Sequence, residues 1–522
     1  MSPLRVLAFF LLSACAADSY AQTTSLQTLT GCCGFGWAVS TLRDVDGDGV
    51  TDAIVGANGN GHVYVYSGRT GAQLRDYSLA SSDLGHAVAD AGDVDGDGLD
   101  DVVAGSPSFG PGGTIRVYSS RTGAQLLAVD APAANGRFGQ AVSGAGDLNG
   151  DGRADLLVGA ENGPGRAYVL SGSDGSVLRT LQGTVDGRRF GAGVAKLRDV
   201  SGDGVPELLV AAVDERKAYA FSGASGALLF TSTGDGDSAT FGEFFIADAG
   251  DVDGDGKSDV YVGDYGGSGH RGIAYVFSGA DGHRLFRFTG AANEGLGPGR
   301  SAGDVDGDGR ADLIVGGYTF GGGGVAQGGR ATVYSGRTGA VLSVFNGSVA
   351  NGNFGFDAVG IGDVNNDRRL DFLVSSATAN RVDIVSGTIA LPSTPTFDIN
   401  AAITGAWYDP AQAGHGLFLE VLPNGNLLAW WFTFDPQGNQ AWFGGVGPIT
   451  GNRAVIPVTR TTGGRFIPNF DASNITNPAW GTLTFTFFTC NTGLVEFNST
   501  LGFGTGSMAL SRLTLPLGET CP

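Results

Sequence analysis

Asp44-Val45-Asp46-Gly47-Asp48-Gly49-Val50-Thr51-Asp52 stands directly before a short β-branched run, and the same pattern returns six more times along the 522-residue chain. The copies begin at Asp93, Asp147, Asp199, Asp251, Asp304 and Asp363, at spacings of 49, 54, 52, 52, 53 and 59 residues. A period of about fifty residues marks tandem copies of one supersecondary unit, each unable to bury its own apolar face alone.

Oxygen ligands at positions 1, 3, 5 and 9, a glycine at 6 and an inward carbonyl at 7 describe a cage for a hard cation. In chain order the ligand sets are Asp44, Asp46, Asp48, Val50, Asp52; Asp93, Asp95, Asp97, Leu99, Asp101; Asp147, Asn149, Asp151, Arg153, Asp155; and Asp199, Ser201, Asp203, Val205, Glu207. They continue as Asp251, Asp253, Asp255, Lys257, Asp259; Asp304, Asp306, Asp308, Arg310, Asp312; and Asp363, Asn365, Asp367, Arg369, Asp371. Calcium is the expected occupant, up to seven ions, because six to eight flexible oxygens suit it better than magnesium. An EF-hand is excluded. Position 12 is Val55, Ala104 and Val158 in the first three copies rather than a bidentate Glu, and strand-like runs such as Ala53-Ile54-Val55-Gly56 follow. Copies with three carboxylates should bind more weakly. The weakest should be those at Asp199, which ends in Glu207, and at Asp363, where Arg368 replaces the turn glycine.

Each unit reads as a Phe-Gly or Leu-Gly step, a strand, the acidic loop, a second strand ending near Gly-Ala, a third such as His62-Val63-Tyr64-Val65-Tyr66, a glycine-flanked turn and a fourth strand. Four-stranded units packed radially give a β-propeller, here of seven blades. The seventh unit stops after Val385-Ser386-Gly387 without its last strand. Ser25-Leu26-Gln27-Thr28-Leu29-Thr30 matches that missing strand, so the N-terminus is expected to close the ring.

These residues resemble the FG-GAP repeat family, known from integrin α-chains and secreted bacterial proteins. The namesake parts are Phe35-Gly36, Phe138-Gly139, Phe190-Gly191, Phe241-Gly242 and Phe354-Gly355, with Gly56-Ala57, Gly105-Ser106-Pro107 and Gly159-Ala160; the sixth copy departs, with Leu296-Gly297-Pro298. The resemblance implies calcium-stabilised blades and a ligand-binding face, often used in adhesion, without naming the ligand.

Composition agrees with an all-β chain of more than one domain: 91 glycines, 16% charged residues and no long helical periodicity. Twenty-five of the 52 acids occupy ligand positions of the seven loops, so seven Ca²⁺ ions would carry the formal charge from −21 to −7. No basic patch argues for nucleic acid. Residues 1–21 read as an export signal, with Arg5 ahead of the apolar run from Val6 to Leu12. Cleavage before Gln22 competes with a lipobox-like Leu12-Ser13-Ala14-Cys15 that would place a lipid anchor on Cys15. No later run is long enough to span a membrane. The chain is therefore expected outside the cell, secreted or at its surface, with an outer-membrane lipoprotein as the outcome if Cys15 is lipidated. In that oxidising setting Cys490 with Cys521 is the expected disulfide. The adjacent Cys32 and Cys33 read either as a vicinal disulfide or as two semi-buried thiols.

Alternating strands put the acidic loops and the terminal hairpins on one face and leave the variable connections on the other. The connections 106–114, 264–271 and 318–330 are the long ones, and Tyr265, His270, Tyr318 and Phe320 are expected to form one patch there. The residues after each Phe-Gly step, Trp37, His86, Gln140, Ala192, Glu243, Pro298 and Phe356, are expected to ring the channel mouth. One His and one Glu on separate blades do not make a catalytic pair, so no catalytic residue is assigned.

Residues 391–404 read as a linker and 405–522 as a second β-rich domain, an antiparallel sandwich or barrel, after a propeller at 22–390. It resembles a terminal domain of secreted bacterial proteins, which implies no function. Five of the six Trp lie in it. Trp407, Tyr408, Trp430, Trp431, Trp442 and Trp480 are sugar-stacking candidates, although core is the expectation for most. The sequence thus points to an exported, non-enzymatic binding or adhesion module for an extracellular protein or glycan. Its alternative is a calcium-dependent polysaccharide-active enzyme or lectin using the channel mouth.

Overall fold

The computed structural model describes residues 23–134, 136–322, 324–391, 398–409, 414–436, 438–463 and 471–515. Every acidic loop leads from an inner strand into a second strand buried along its whole length, such as Asp52–Ala57, Asp101–Ser106 and Asp155–Ala160. These runs are apolar on both faces because a neighbouring blade covers each side.

The first blade is the antiparallel sheet Phe35–Leu42, Asp52–Ala57, His62–Tyr66 and Gln73–Ser78, and the same order repeats to the sixth blade, which ends at Val341–Asn346. The seventh contains Ala358–Gly362, Asp371–Ser376 and Arg381–Val385, and its fourth strand is Ser25–Thr30 from the N-terminus. Thr28 pairs with Asp383 and Leu29 with Val382, and the Thr28 hydroxyl donates to the Asp383 carboxylate at 2.7 Å. The inner strands touch in sequence around a complete circle. The expected closure is found, and it covers the outer edge of Arg381–Val385 with a fourth strand.

The two halves of the repeat motif meet at the blade boundaries. A Cβ on Gly105 would stand 2.0 Å from the carbonyl oxygen of Gly139, the glycine of the next Phe-Gly step, and Gly139 itself has φ +87. Only glycine lets the backbones approach this closely. Phe138, fully buried, packs there with Val103, Ile115 and Val158 from both blades.

Residues from Pro392 onward form a separate compact unit. It is a closed antiparallel barrel of Gly405–Tyr408, Gly416–Val421, Asn426–Phe434, Gln440–Thr450, Arg453–Arg460, Ala479–Phe487, Thr492–Ser499 and Thr505–Arg512. Of the sandwich and barrel expectations, the barrel is the one observed. Arg453–Arg460 runs through Pro457, and Gly405–Tyr408 closes the barrel by pairing Trp407 with Arg512. Trp407, Trp480, Phe443, Phe485 and Ile456 fill the interior, and so do Ile399 and Ile403 from the segment read as linker.

The export-signal residues 1–21 with Cys15, linker residues 392–397 and Cys521 lie outside the described residues; Cys490 is buried. Cys32 and Cys33 are neither bridged nor semi-buried: they are exposed free thiols in the turn between closing strand and first blade, with Cys33 at φ +63. No helix among the described residues is long and apolar enough to cross a membrane.

Candidate functional site

In each acidic loop the first carboxylate is wrapped by the loop's own backbone. Asp44 accepts N–H bonds from Gly47 at 2.6 Å, Asp48 at 3.0 Å and Gly49 at 2.7 Å, and Asp93 repeats the set with Gly96, Asp97 and Gly98. The position-7 N–H, from Val50 to Arg369, donates to the carboxylate at position 5. Arg368 keeps the turn of the last loop by adopting φ +64, at a cost of about 1 kcal/mol for a residue with a Cβ.

Five loops gather three acids whose oxygens lie within 4.8 Å of one another: Asp44, Asp46 and Asp48; Asp93, Asp95 and Asp101; Asp199, Asp203 and Glu207; Asp251, Asp253 and Asp255; and Asp304, Asp306 and Asp308. The copies at Asp147 and Asp363, with Asn149 and Asn365 at position 3, form no such three-acid group among the described residues. The donors are all oxygen, the chemistry that suits a hard divalent cation. Some are shared with cations of the protein, since the Arg121 guanidinium sits 2.8 Å from Asp97 and that of Arg69 lies 3.3 Å from Asp48.

Position 9 has a second job that the ligand pattern does not reveal. Asp52, fully buried, accepts from Val45 N–H at 2.8 Å and, from the terminal hairpin, Gly68 N–H at 3.0 Å. Asp155 with Gly172, Asp259 with Gly279, Asp312 with Gly336 and Asp371 with Gly387 repeat the link, and Ser120 supplies the N–H to Asp101. Burial pushes the Asp101 carboxyl up to about 7 and that of Asp52 up to about 6, and the neighbouring loop acids add to the effect. These bonds place loops and terminal hairpins on one face, as the strand alternation requires.

On the opposite face lies the channel mouth. Trp37, His86, Phe244, Phe245, Tyr265, Tyr318 and Phe356 form a closed circuit of ring contacts with centroids 5.2–6.3 Å apart. Trp37, Phe244, Tyr265, Tyr318 and Phe356 are half-buried, so the collar borders both solvent and a cavity of about 500 Å³. Phe244, at φ +66, reaches from the fifth blade to His86 on the second, so the circuit bypasses blades three and four. His86 is 9% exposed, and its Nε2 has no hydrogen-bond partner. Burial pushes its pKa down to about 4, so the ring is neutral at physiological pH.

Below the collar, Ser40, Thr41 and Ser143 line the cavity with Asp90, Lys196, Asp248, Arg300 and Asp357. Arg300 holds Asp357 at 2.8 Å and Arg198 holds Asp248 at 3.1 Å. Burial, with the nearby Asp100 carboxylate adding to it, pushes Asp90 up to about 6.

Of the residues expected at the mouth, Trp37, His86, Gln140, Pro298 and Phe356 line the cavity; Ala192 and Glu243 do not. Glu243 instead accepts from Arg189 at 2.5 Å and from the Tyr265 hydroxyl at 3.1 Å, and Phe244 takes the place at the channel. The expected four-residue patch divides. Tyr265 and Tyr318 join the collar, whereas Phe320 lies under the Arg330 guanidinium at 4.0 Å, itself held by buried Glu294. His270 is exposed and outside the ring contacts of the collar.

The core expectation for the C-terminal aromatics holds for Trp407, Trp431 and Trp480, while Tyr408 is half-buried. Trp430 and Trp442 are instead 37% and 60% exposed on the barrel exterior beside Phe418 and Phe432. With both faces of Trp430-Trp431-Phe432 apolar, alternation alone does not say which face turns inward.

A family model for the FG-GAP repeat matches residues 138–170, the first three strands of blade three. One for the FG-GAP-like repeat matches residues 44–104 and 251–315, each running from one acidic loop into the second strand of the next blade. A solved structure titled as a crystal structure of BBS1N in complex with ARL6DN, soaked with lead, is similar at 14% identity with a TM-score of 0.45, over 72% of this chain and 98% of that one. FG-GAP and FG-GAP-like repeats are thus found at residues 44–104, 138–170 and 251–315 of the seven-bladed propeller.

Proposed function

We propose that this chain is an exported, calcium-stapled propeller that acts as a non-enzymatic binding module for an extracellular protein or glycan, with recognition on the face opposite the acidic loops. The observation that carries this reading is the aromatic collar: half-buried rings from four blades, with buried His86 from a fifth, border a cavity at the mouth, where a rigid scaffold can offer apolar area and a few polar groups together. The oxygen-only loops support calcium as the staple. Bound metal would neutralise acids that otherwise repel one another beside the hairpin links. The N-terminal signal-like segment supports export, and the Cys490–Cys521 bridge belongs to the same proposal.

The test is a glycan and surface-protein array probed with the full chain in calcium and in chelator. Binding in calcium, lost or weakened with a lowered melting temperature in chelator, is the expected result. Binding and melting temperature that ignore complete metal removal would refute calcium dependence, and absence of any partner in calcium would refute the binding module. An enzyme at the same mouth would release product from labelled polysaccharide, an outcome that replaces this reading.

A further inference from the structure

We propose that the collared cavity seats a neutral sugar unit, the end of an uncharged saccharide. This rests on the binding-module reading and narrows its ligand from any extracellular partner to one chemical class.

Three observations converge on that class. First, most of the charge around the cavity is already answered within the protein: Arg300 is paired with Asp357 and Asp248 with Arg198, while burial and the Asp100 carboxylate push Asp90 up to about 6, towards its neutral form. A charged ligand would give up hydration against acids and an arginine that are already committed, a penalty that an uncharged one avoids, and the exposed Lys196 is the group that the galacturonic acid control probes. Second, His86 is nine-tenths buried, lines the cavity and has an unpartnered Nε2. A buried polar atom without a partner is costly, and a hydroxyl answers either tautomer of a neutral imidazole because it both donates and accepts. Ser40, Thr41 and Ser143 add uncharged polar groups just below. Third, the collar lines the cavity with aromatic rings. The C–H edges of a pyranose carry partial positive charge and lie against the negative ring face as an aromatic edge does. A purely apolar ligand would satisfy the rings and leave Nε2 orphaned. A saccharide end satisfies both, and a cavity of about 500 Å³ accommodates it.

The experiment is saturation-transfer NMR on the full chain in calcium, with methyl glycosides of glucose, galactose, mannose, fucose and N-acetylglucosamine, and with glucosamine, galacturonic acid and phenol as controls. At least one neutral glycoside is expected to bind and to exceed all three controls. Its affinity should fall about tenfold in Trp37→Ala and in His86→Phe, the loss of one or two ring or hydrogen-bond contacts. It should not change in Trp442→Ala on the barrel. Should Trp37→Ala unfold, Tyr318→Leu, on another blade of the collar, reads the same loss. Failure of every neutral glycoside, preference for a charged control or phenol, or binding that survives the collar variants overturns the sugar assignment. The array separates this from the broader reading: a protein partner captured there while the glycosides fail removes only the sugar, whereas an empty array removes the binding module itself.

Discussion

Gly105→Ala isolates the physical content of the repeat motif. The added methyl would lie 2.0 Å from the Gly139 carbonyl oxygen, with the Gly139 carbonyl carbon at 2.9 Å, so it meets backbone rather than a side chain that can swing aside. Relief requires blades two and three to separate by more than 1 Å from contact distance, against a junction that buries Phe138, Val103 and Val158. Overpacking of this kind costs about 3 kcal/mol, at the upper end of the usual range. The control is Gly98→Ala in the acidic loop, where φ is +89 but no atom lies within 4 Å of the new Cβ. That substitution carries backbone strain alone, about 1 kcal/mol. Urea unfolding of both variants in saturating calcium, followed by far-ultraviolet circular dichroism, reads the difference as a shift in midpoint at constant slope. A loss for Gly105→Ala no larger than for Gly98→Ala would show that the blade contact is not what demands glycine.

Removing residues 23–30 deletes the fourth strand of blade seven and exposes the edge of Arg381–Val385. The truncated chain should associate or aggregate, and light scattering after size exclusion that shows a stable monomer would contradict the closure. His86, pushed down to about 4 by burial from an ordinary 6.5, binds fewer protons in the fold than in the unfolded chain between those values. Its contribution is therefore complete above pH 6.5 and is lost as the pH falls towards 4, by about 3 kcal/mol at most. Asp90, pushed up to about 6, acts in the opposite direction in wild type and variant alike. The wild-type stability curve should consequently fall more steeply on acidification than that of His86→Phe, and parallel curves would refute the assignment. Trp442→Ser, at a side chain 60% exposed, should raise solubility and leave the melting temperature within about 1 °C; a clear drop in melting temperature would mean that this exterior ring carries structure.

How much was legible follows from where each signal resides. The acidic loop, the Phe-Gly step and the hairpin glycines are local patterns, and their repetition at a near-constant period sufficed for blade number, strand order and even the closing role of Ser25–Thr30. The same local pattern gave the candidate metal oxygens, but not the second role of Asp52 and its equivalents, because the hairpin N–H each one holds comes from beyond the loop. In the barrel, the pattern does not single out Trp430 and Trp442 as the exposed rings, because a strand apolar on both faces carries no periodic sign of which side is inside.

The sequence by itself therefore determined the repeat, the blade and the oxygen-rich loops, since each is written within some fifty consecutive residues. Only the tertiary structure decided the collar. Trp37 and Phe356 are more than three hundred residues apart and meet at 5.2 Å because the ring closes, and Phe244 reaches His86 because its left-handed backbone turns the side chain across the channel. Contacts made across a closed ring depend on every blade lying between them, and no window of sequence contains that information.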